Sequence, residues 1–186
     1  MPAFFLALIA AAFAGFGGRD YRLVAHLSAA FNGSAMVLVL GIVSSVVTAG
    51  IAAFGGSLIA EMVGGDASLM LAALALVWAG VEMAWPWRRA LPKEPTRSAF
   101  AILIVLLAAQ VGDAARFLIL AVAVATASPV LAMAGGAFGG CMALTLAWSG
   151  EGRAFSAIRV RQVRLYLGCA LALLGIVMGM MARGIV

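Results

Sequence analysis

The chain has 186 residues, 66% hydrophobic and 10% charged, with a formal net charge of +5 and a mean hydropathy of +1.16. A soluble domain of this length needs far more polar surface. The composition therefore excludes a soluble enzyme or nucleic-acid-binding domain and points to an all-α integral membrane protein. At about 20 residues per spanning helix, six spans and their short loops consume the length and leave no room for a separate soluble domain.

Six apolar segments follow in order, at 3–17, 34–54, 68–85, 98–125, 129–148 and 163–182. The first begins Met1-Pro2-Ala3-Phe4-Phe5-Leu6 and looks like a signal peptide, with Ala12-Phe13-Ala14 as a cleavage site. No Lys or Arg precedes Arg19, so the positive n-region is missing and the segment is expected to be retained. The stretch 23–31 extends it beyond the polar knot Gly18-Arg19-Asp20-Tyr21, and the fourth segment likewise continues past Asp113. Both read as helices interrupted by glycine and charge near mid-depth, where irregular backbone must be buried in protein or line a water-filled cavity.

A single offset of 95 residues maps Phe5 to Phe100, Gly17 to Gly112, Gly41 to Gly136, Gly55 to Gly150 and Gly80 to Gly175. The expected organisation is a first three-span repeat at 1–90, a linker at 91–97 and a second repeat at 98–186. With the N-terminus outside, the first, third and fifth loops hold Arg19, Arg22, Arg88, Arg89, Lys93, Arg97, Arg153, Arg159, Arg161 and Arg164. Those are ten of the twelve basic residues, leaving Arg116 and Arg183 outside. The second loop carries Glu61 and Asp66, so the positive-inside rule favours N-out in a bacterial inner membrane. Three spans per repeat then place the halves in opposite orientations: two inverted three-helix repeats with interrupted helices at matching positions, a recurring plan of secondary transporters.

Asp113 is the first candidate for chemistry. A carboxylate at membrane depth costs roughly 3 kcal/mol or more unless it is paired, hydrated or protonated. Beside a glycine break it can hold a hard cation, with freed carbonyls and the Gln110 amide oxygen as co-ligands. Competition between proton and cation for it is the core of an antiport cycle. The structural alternatives are a pair with Arg116 one turn away or a shallow helix cap. Arg19-Asp20 with Arg22 is the corresponding site of the first half, or else a charged cluster at a cytoplasmic helix end. Glu82 either lines a path or, as its closeness to Trp85 and Arg88 suggests, snorkels to the interface, where Trp78, Trp85 and Trp87 form an aromatic belt. His26 reads as a polar bundle contact, and Ser44, Ser45 and Thr48 as a polar helix contact or neutral oxygen ligands. Cys141 and Cys169 read as buried small hydrophobes. No Walker, His-Glu-x-x-His, Cys-x-x-Cys or Gly-x-Ser-x-Gly motif occurs, so neither an enzyme nor a cofactor is expected.

Two motifs carry a family resemblance: Gln110-Val111-Gly112-Asp113-Ala114-Ala115 and Gly15-Phe16-Gly17-Gly18-Arg19-Asp20. With the inverted repeats, they resemble the small cation antiporters related to transmembrane protein 165, of the lysine-exporter superfamily, whose repeats open with Glu-x-Gly-Asp-Lys/Arg-Ser/Thr. The resemblance spans nearly the whole chain and implies exchange of Mn2+ or Ca2+ for protons at a central acidic site. Carried onto this sequence, it implies ion binding by Asp113, Gln110, Gly112, Asp20, Gly17 and Arg19, with Asp113, Gln110 and Asp20 as metal ligands. The motifs are eroded: Gln110 replaces a glutamate, the second half loses its basic and hydroxyl positions, and the first half keeps one glycine and the basic residue, with Asp20 displaced. Two alternatives follow from that erosion. One is a transport-inactive membrane partner subunit of the same fold; the other is an exporter of a small amino acid-like solute, suited to a site that keeps an arginine. The partners expected are the lipid bilayer, a small cation and protons, and further copies of the chain or a membrane partner protein.

Overall fold

A computed structural model describes residues 1–85, 98–150 and 157–185. Its regular elements are all helices: α1 (Pro2–Gly15), α2 (Arg19–Ala30), α3 (Ala35–Val63), α4 (Gly65–Ala84), α5 (Ala99–Val111), α6 (Ala114–Thr126), α7 (Pro129–Ser149) and α8 (Ala157–Ala182). Four of them, α3, α4, α7 and α8, are long and apolar enough to cross a membrane. The pairs α1–α2 and α5–α6 are bent by 60° and 59°, and bring the number to six if each pair is one span. The linker expected at 91–97 lies outside the described residues.

The helices meet through small side chains. The main buried cluster is built largely from alanines, among them Ala7, Ala11, Ala49, Ala53, Ala79, Ala115 and Ala132. Bulky residues such as Phe5, Ile9, Phe13, Ile51, Leu58 and Leu173 point outward. That inside-out distribution is what a bilayer selects, because lipid already solvates large apolar groups and helix association then depends on close backbone approach. Glycines mark the contacts. A Cβ on Gly135 would run into the Phe4 carbonyl, one on Gly139 into that of Leu8, and one on Gly15 would lie 3.1 Å from the Ala143 Cβ. Residue numbers rise together along this contact, so α1 and α7 are parallel. Ser28 of α2 then donates to the Trp148 carbonyl at 2.8 Å, farther along α7 in the same direction. By the same test α4 and α8 are antiparallel, with Gly80 against Gly168 and Ala172, and Gly175 against Ala73 and Val77. α3 is antiparallel to α7, through Gly41 on Leu144 and Gly50 on Met133.

The helix ends differ from the apolar segments where hydropathy is not the limit. α3 runs nine residues past the expected end at 54 and stops at Gly64, whose φ of +62 ends one helix and caps the next. α8 starts at Ala157 rather than at 163, its first turns carrying exposed Arg159 and Arg161. The cysteines, expected to be buried, are not: Cys141 is half-buried and Cys169 is exposed. Cys169 sits on α8, where only 11% of the apolar window is covered by protein.

Overpacking at a backbone contact gives a direct check. Gly135→Ala is expected to lower stability by about 1–3 kcal/mol. Gly55→Ala, where an added Cβ meets nothing within 4 Å, should leave stability unchanged or slightly raised. Thermal unfolding of the detergent-solubilised protein measures both.

Candidate functional site

A helix end leaves backbone carbonyls without an intrahelical partner, and each bent pair has such an end inside the bundle. In the first, α1 stops at Gly15, the chain turns through Phe16, Gly17 at φ +70 and Gly18, and α2 begins at Arg19. In the second, α5 stops at Val111, Gly112 follows, and Asp113 caps α6 by accepting from the Ala115 amide at 3.3 Å. Gly112 has φ −106, which any residue adopts. Its role is spatial: a Cβ there would lie 3.2 Å from the Arg19 guanidinium.

The freed carbonyls are taken by arginines. Arg19 Nη2 donates to the Gly112 carbonyl across the two bends. Arg164 Nη1, from α8, donates to the carbonyls of Ala14 at 2.6 Å and Phe16 at 3.1 Å. Both guanidiniums also meet Glu82 of α4. Arg164 Nη2 donates to its Oε2 at 3.0 Å, and Arg19 Nε lies 3.3 Å from its Oε1 as an ion pair without hydrogen-bond alignment. The side chains are 5–11% exposed. Glu82 therefore does not snorkel to the interface. It is buried two residues before the end of α4, where two cations of other helices converge on it. Arg19 and Arg164 are likewise not loop residues; their charges are spent inside the bundle.

The carboxylates of Asp20 and Asp113 meet at Gly18. At the point a Gly18 Cβ would occupy, Gly15 O is 3.0 Å away, Asp20 Oδ1 3.1 Å and Asp113 Oδ1 3.3 Å. The two aspartates, 3% and 0% exposed, thus share one small space that exists because residue 18 has no side chain. Asp20 Oδ1 accepts from the Tyr21 amide at 2.8 Å, while Asp113 Oδ1 has no hydrogen-bond partner. Among the described residues, ion pairs form on Glu82 and on neither aspartate.

Arg116 does not pair with Asp113 and does not lie at an outer surface. It is 4% exposed, and its Nε donates to Thr48 Oγ1 at 2.8 Å and its Nη2 to Ser45 Oγ at 3.2 Å. Gln110 is fully buried, with Oε1 3.0 Å from Thr48 Oγ1 and Nε2 without a partner. The hydroxyl stripe of α3 thus serves as a contact to α5 and α6, with Ser44 bonded to the Gly41 carbonyl within its own helix.

Asp113, Gln110, Gly112, Asp20, Gly17 and Arg19 are all brought to the two bends. As metal ligands, Asp113, Gln110 and Asp20 make a thin set. Among the described residues no group of three His, Cys, Asp or Glu is placed to hold a metal ion. The backbone carbonyls at the bends already accept from guanidiniums, and the Gln110 oxygen faces Thr48. His26 is half-buried on α2; Trp78 and Trp85 are exposed as a membrane belt requires, and Trp87 lies outside the described residues. Sequence reasoning missed Glu82 and Arg164 as site residues. No family model matches this chain, and no curated protein or solved structure matches it either.

The Glu82 pairs can be weighed by removing charge. Glu82→Gln leaves two buried guanidiniums without their counter-charge and is expected to cost about 3–5 kcal/mol. Glu82→Gln with Arg164→Gln removes one charge of each sign and should recover most of that loss. Thermal melts of the two variants beside the unsubstituted protein, read as a double-mutant cycle, measure the difference.

Proposed function

We propose that the chain is a proton-coupled secondary transporter of a small cation, in which Asp20 and Asp113 form the exchange pair between two inverted repeats. The observation that carries this reading is the approach of two buried carboxylates to Gly18, from the bends of two different helix pairs, with no ion pair to either among the described residues. Two such groups a few ångströms apart repel each other when both are ionised, so a proton or another small cation is held between them and released as their surroundings change. Asp113 is the switching carboxylate, and Asp20 the opposing acid.

The repeat finds support in the contacts. Under the 95-residue offset, Gly80 against Gly168 and Ala172 becomes Gly175 against Ala73 and Val77. Gly41 against Val24 becomes Gly136 against Ile119, and Gly15 against Ala143 becomes Gln110 against Thr48. Two pairs map onto themselves, Ser45 with Gly140 and Gly18 with Asp113. A two-fold axis would pass through both, which puts Asp113 opposite its own counterpart position. Each bent pair also advances in one direction. α1 and α2 meet α7 in rising order, and along α3 Gln110 meets Thr48 before Leu120 and Val124 meet Gly56. One bent span per pair, hence six spans, explains this better than two re-entrant loops.

Orientation then rests on the bases that the sequence places at the ends of the spans and between them. Arg88, Arg89, Lys93, Arg97, Arg153, Arg159 and Arg161 share one side of a six-span arrangement, and Arg183 lies on the other with Glu61 and Asp66. That distribution favours an outside N-terminus in a bacterial inner membrane. The buried central charges balance, with Asp20, Glu82 and Asp113 against Arg19, Arg116 and Arg164, while Arg22 adds a positive charge at the rim, where its Nε donates to the Gly18 carbonyl at 3.4 Å. A Mn2+ or Ca2+ cargo, as the resemblance implies, meets two free carboxylates and needs the guanidiniums to leave the carbonyls first. The same balance favours the second reading, a transport-inactive partner subunit, since a self-neutralised site needs no cargo ion.

Proteoliposomes with an imposed pH gradient separate these readings. Flux of Mn2+, Ca2+, Na+ or K+ that depends on the gradient is expected, and Asp113→Asn should reduce it at least tenfold. Asparagine caps a helix as well as aspartate does, so that variant removes the charge and keeps the bend. Absence of coupled flux for every ion, or full flux in Asp113→Asn, overturns the transporter reading.

A further inference from the structure

At both bends the groups that a bound cation would use are in place, and guanidiniums occupy them. The Ala14 and Phe16 carbonyls accept from Arg164, the Gly112 carbonyl accepts from Arg19, and Glu82 holds both arginines. A hard divalent cation takes six or more oxygen ligands, carboxylates and carbonyls together. The carboxylate oxygens are beside the same bends, with the Gly15 carbonyl and Oδ1 of both aspartates around Gly18. Arginine cannot lose its proton, so each guanidinium is a permanent charge tethered where a mobile ion would sit.

We infer that Arg164, Arg19 and Glu82 are specificity-determining residues: the two guanidiniums act as resident cations that keep divalent metal off the carboxylates at the bends, and Glu82 positions them. This rests on the exchange-pair reading for the identity of the carboxylates, and it concerns binding rather than transport. Glu82 is the element that makes the exclusion lasting. Without an anion between them, two guanidiniums of like charge would not remain together in a buried site. Arg164 is the stronger blocker, since one side chain engages two carbonyls of the α1 bend and a carboxylate of α4. Lysine, a point charge without the fork, could not make all three contacts in this geometry.

The test is Mn2+ binding to the purified, detergent-solubilised protein, followed by loss of the electron paramagnetic resonance signal of the free aqua ion. The unsubstituted chain is expected to take up little Mn2+. Glu82→Gln with Arg164→Gln, which keeps the site's net charge, frees two carbonyls and should tighten Mn2+ binding at least tenfold. Adding Asp113→Asn to that variant should abolish the gain. Arg19→Gln leaves Glu82 paired with Arg164, frees the Gly112 carbonyl and should also tighten binding, so a folding failure of one variant leaves the other to decide. The inference is overturned if the folded variants bind Mn2+ no more tightly than the unsubstituted chain, or if the gain survives Asp113→Asn. Flux in the unsubstituted protein is not part of this readout, so a failed transport assay and a failed binding gain are told apart.

Discussion

A charge inside a bilayer has to be answered within the protein, and Glu82 is where this chain answers two at once. Its carboxylate receives Arg164 from α8 and Arg19 from the start of α2. Those arginines in turn hold the carbonyls of both bends. Three separate costs are offset by one arrangement: two buried guanidiniums, one buried carboxylate and the orphan carbonyls of broken helices. The bends at 60° and 59° are thus held by side chains of distant helices as well as by their own turn hydrogen bonds, Gly18 N–H to the Gly15 carbonyl and Asp113 N–H to the Gln110 carbonyl, both at 3.0 Å.

That solution shapes what the neighbouring aspartates can do. A buried carboxylate is cheap when an arginine faces it, and Glu82 has two. Among the described residues Asp20 and Asp113 have none. Local amides cap each aspartate once, at Tyr21 and Ala115, and Asp113 Oδ1 remains open. The chain thus separates its acids into one that is ion-paired and two that, among the described residues, are not. Arg116 adds to the field from farther off, engaged by Thr48 and Ser45 rather than by a carboxylate.

Much of this was legible in the sequence. The apolar segments, the glycine breaks and the placement of Gln110, Gly112 and Asp113 at a helix interruption follow from hydropathy and from the cost of a lone acid at depth. So does the serine and threonine stripe of α3. The ion-pair layer was not legible. Glu82 sits three residues from Trp85, and Arg164 follows two other arginines in a basic run, so each looks like an interface residue when read along the chain. Their contact spans 82 residues, and nothing in either segment marks it. Arg116 misled in another way. A base one turn from an acid suggests a pair, but the helix turns its side chain toward α3.

The pairing of Gly18 with Asp113 has a consequence under the proposed two-fold relation. A symmetric ancestor arrangement would place equal side chains on both sides of the axis, and two aspartates would face each other there. In this chain one side is glycine, and the vacated space holds the Asp20 carboxylate, reaching in from two residues later at 3.1 Å from the missing Cβ. Under that relation two acids still border the axis, one of them from a neighbouring position. The two carboxylates now sit on unlike backbones, one capping α6 and one in the first turn of α2. The same displacement places Asp20 directly beside Arg19 in the chain, so the first turn of α2 joins the second aspartate to the ion-pair layer on Glu82.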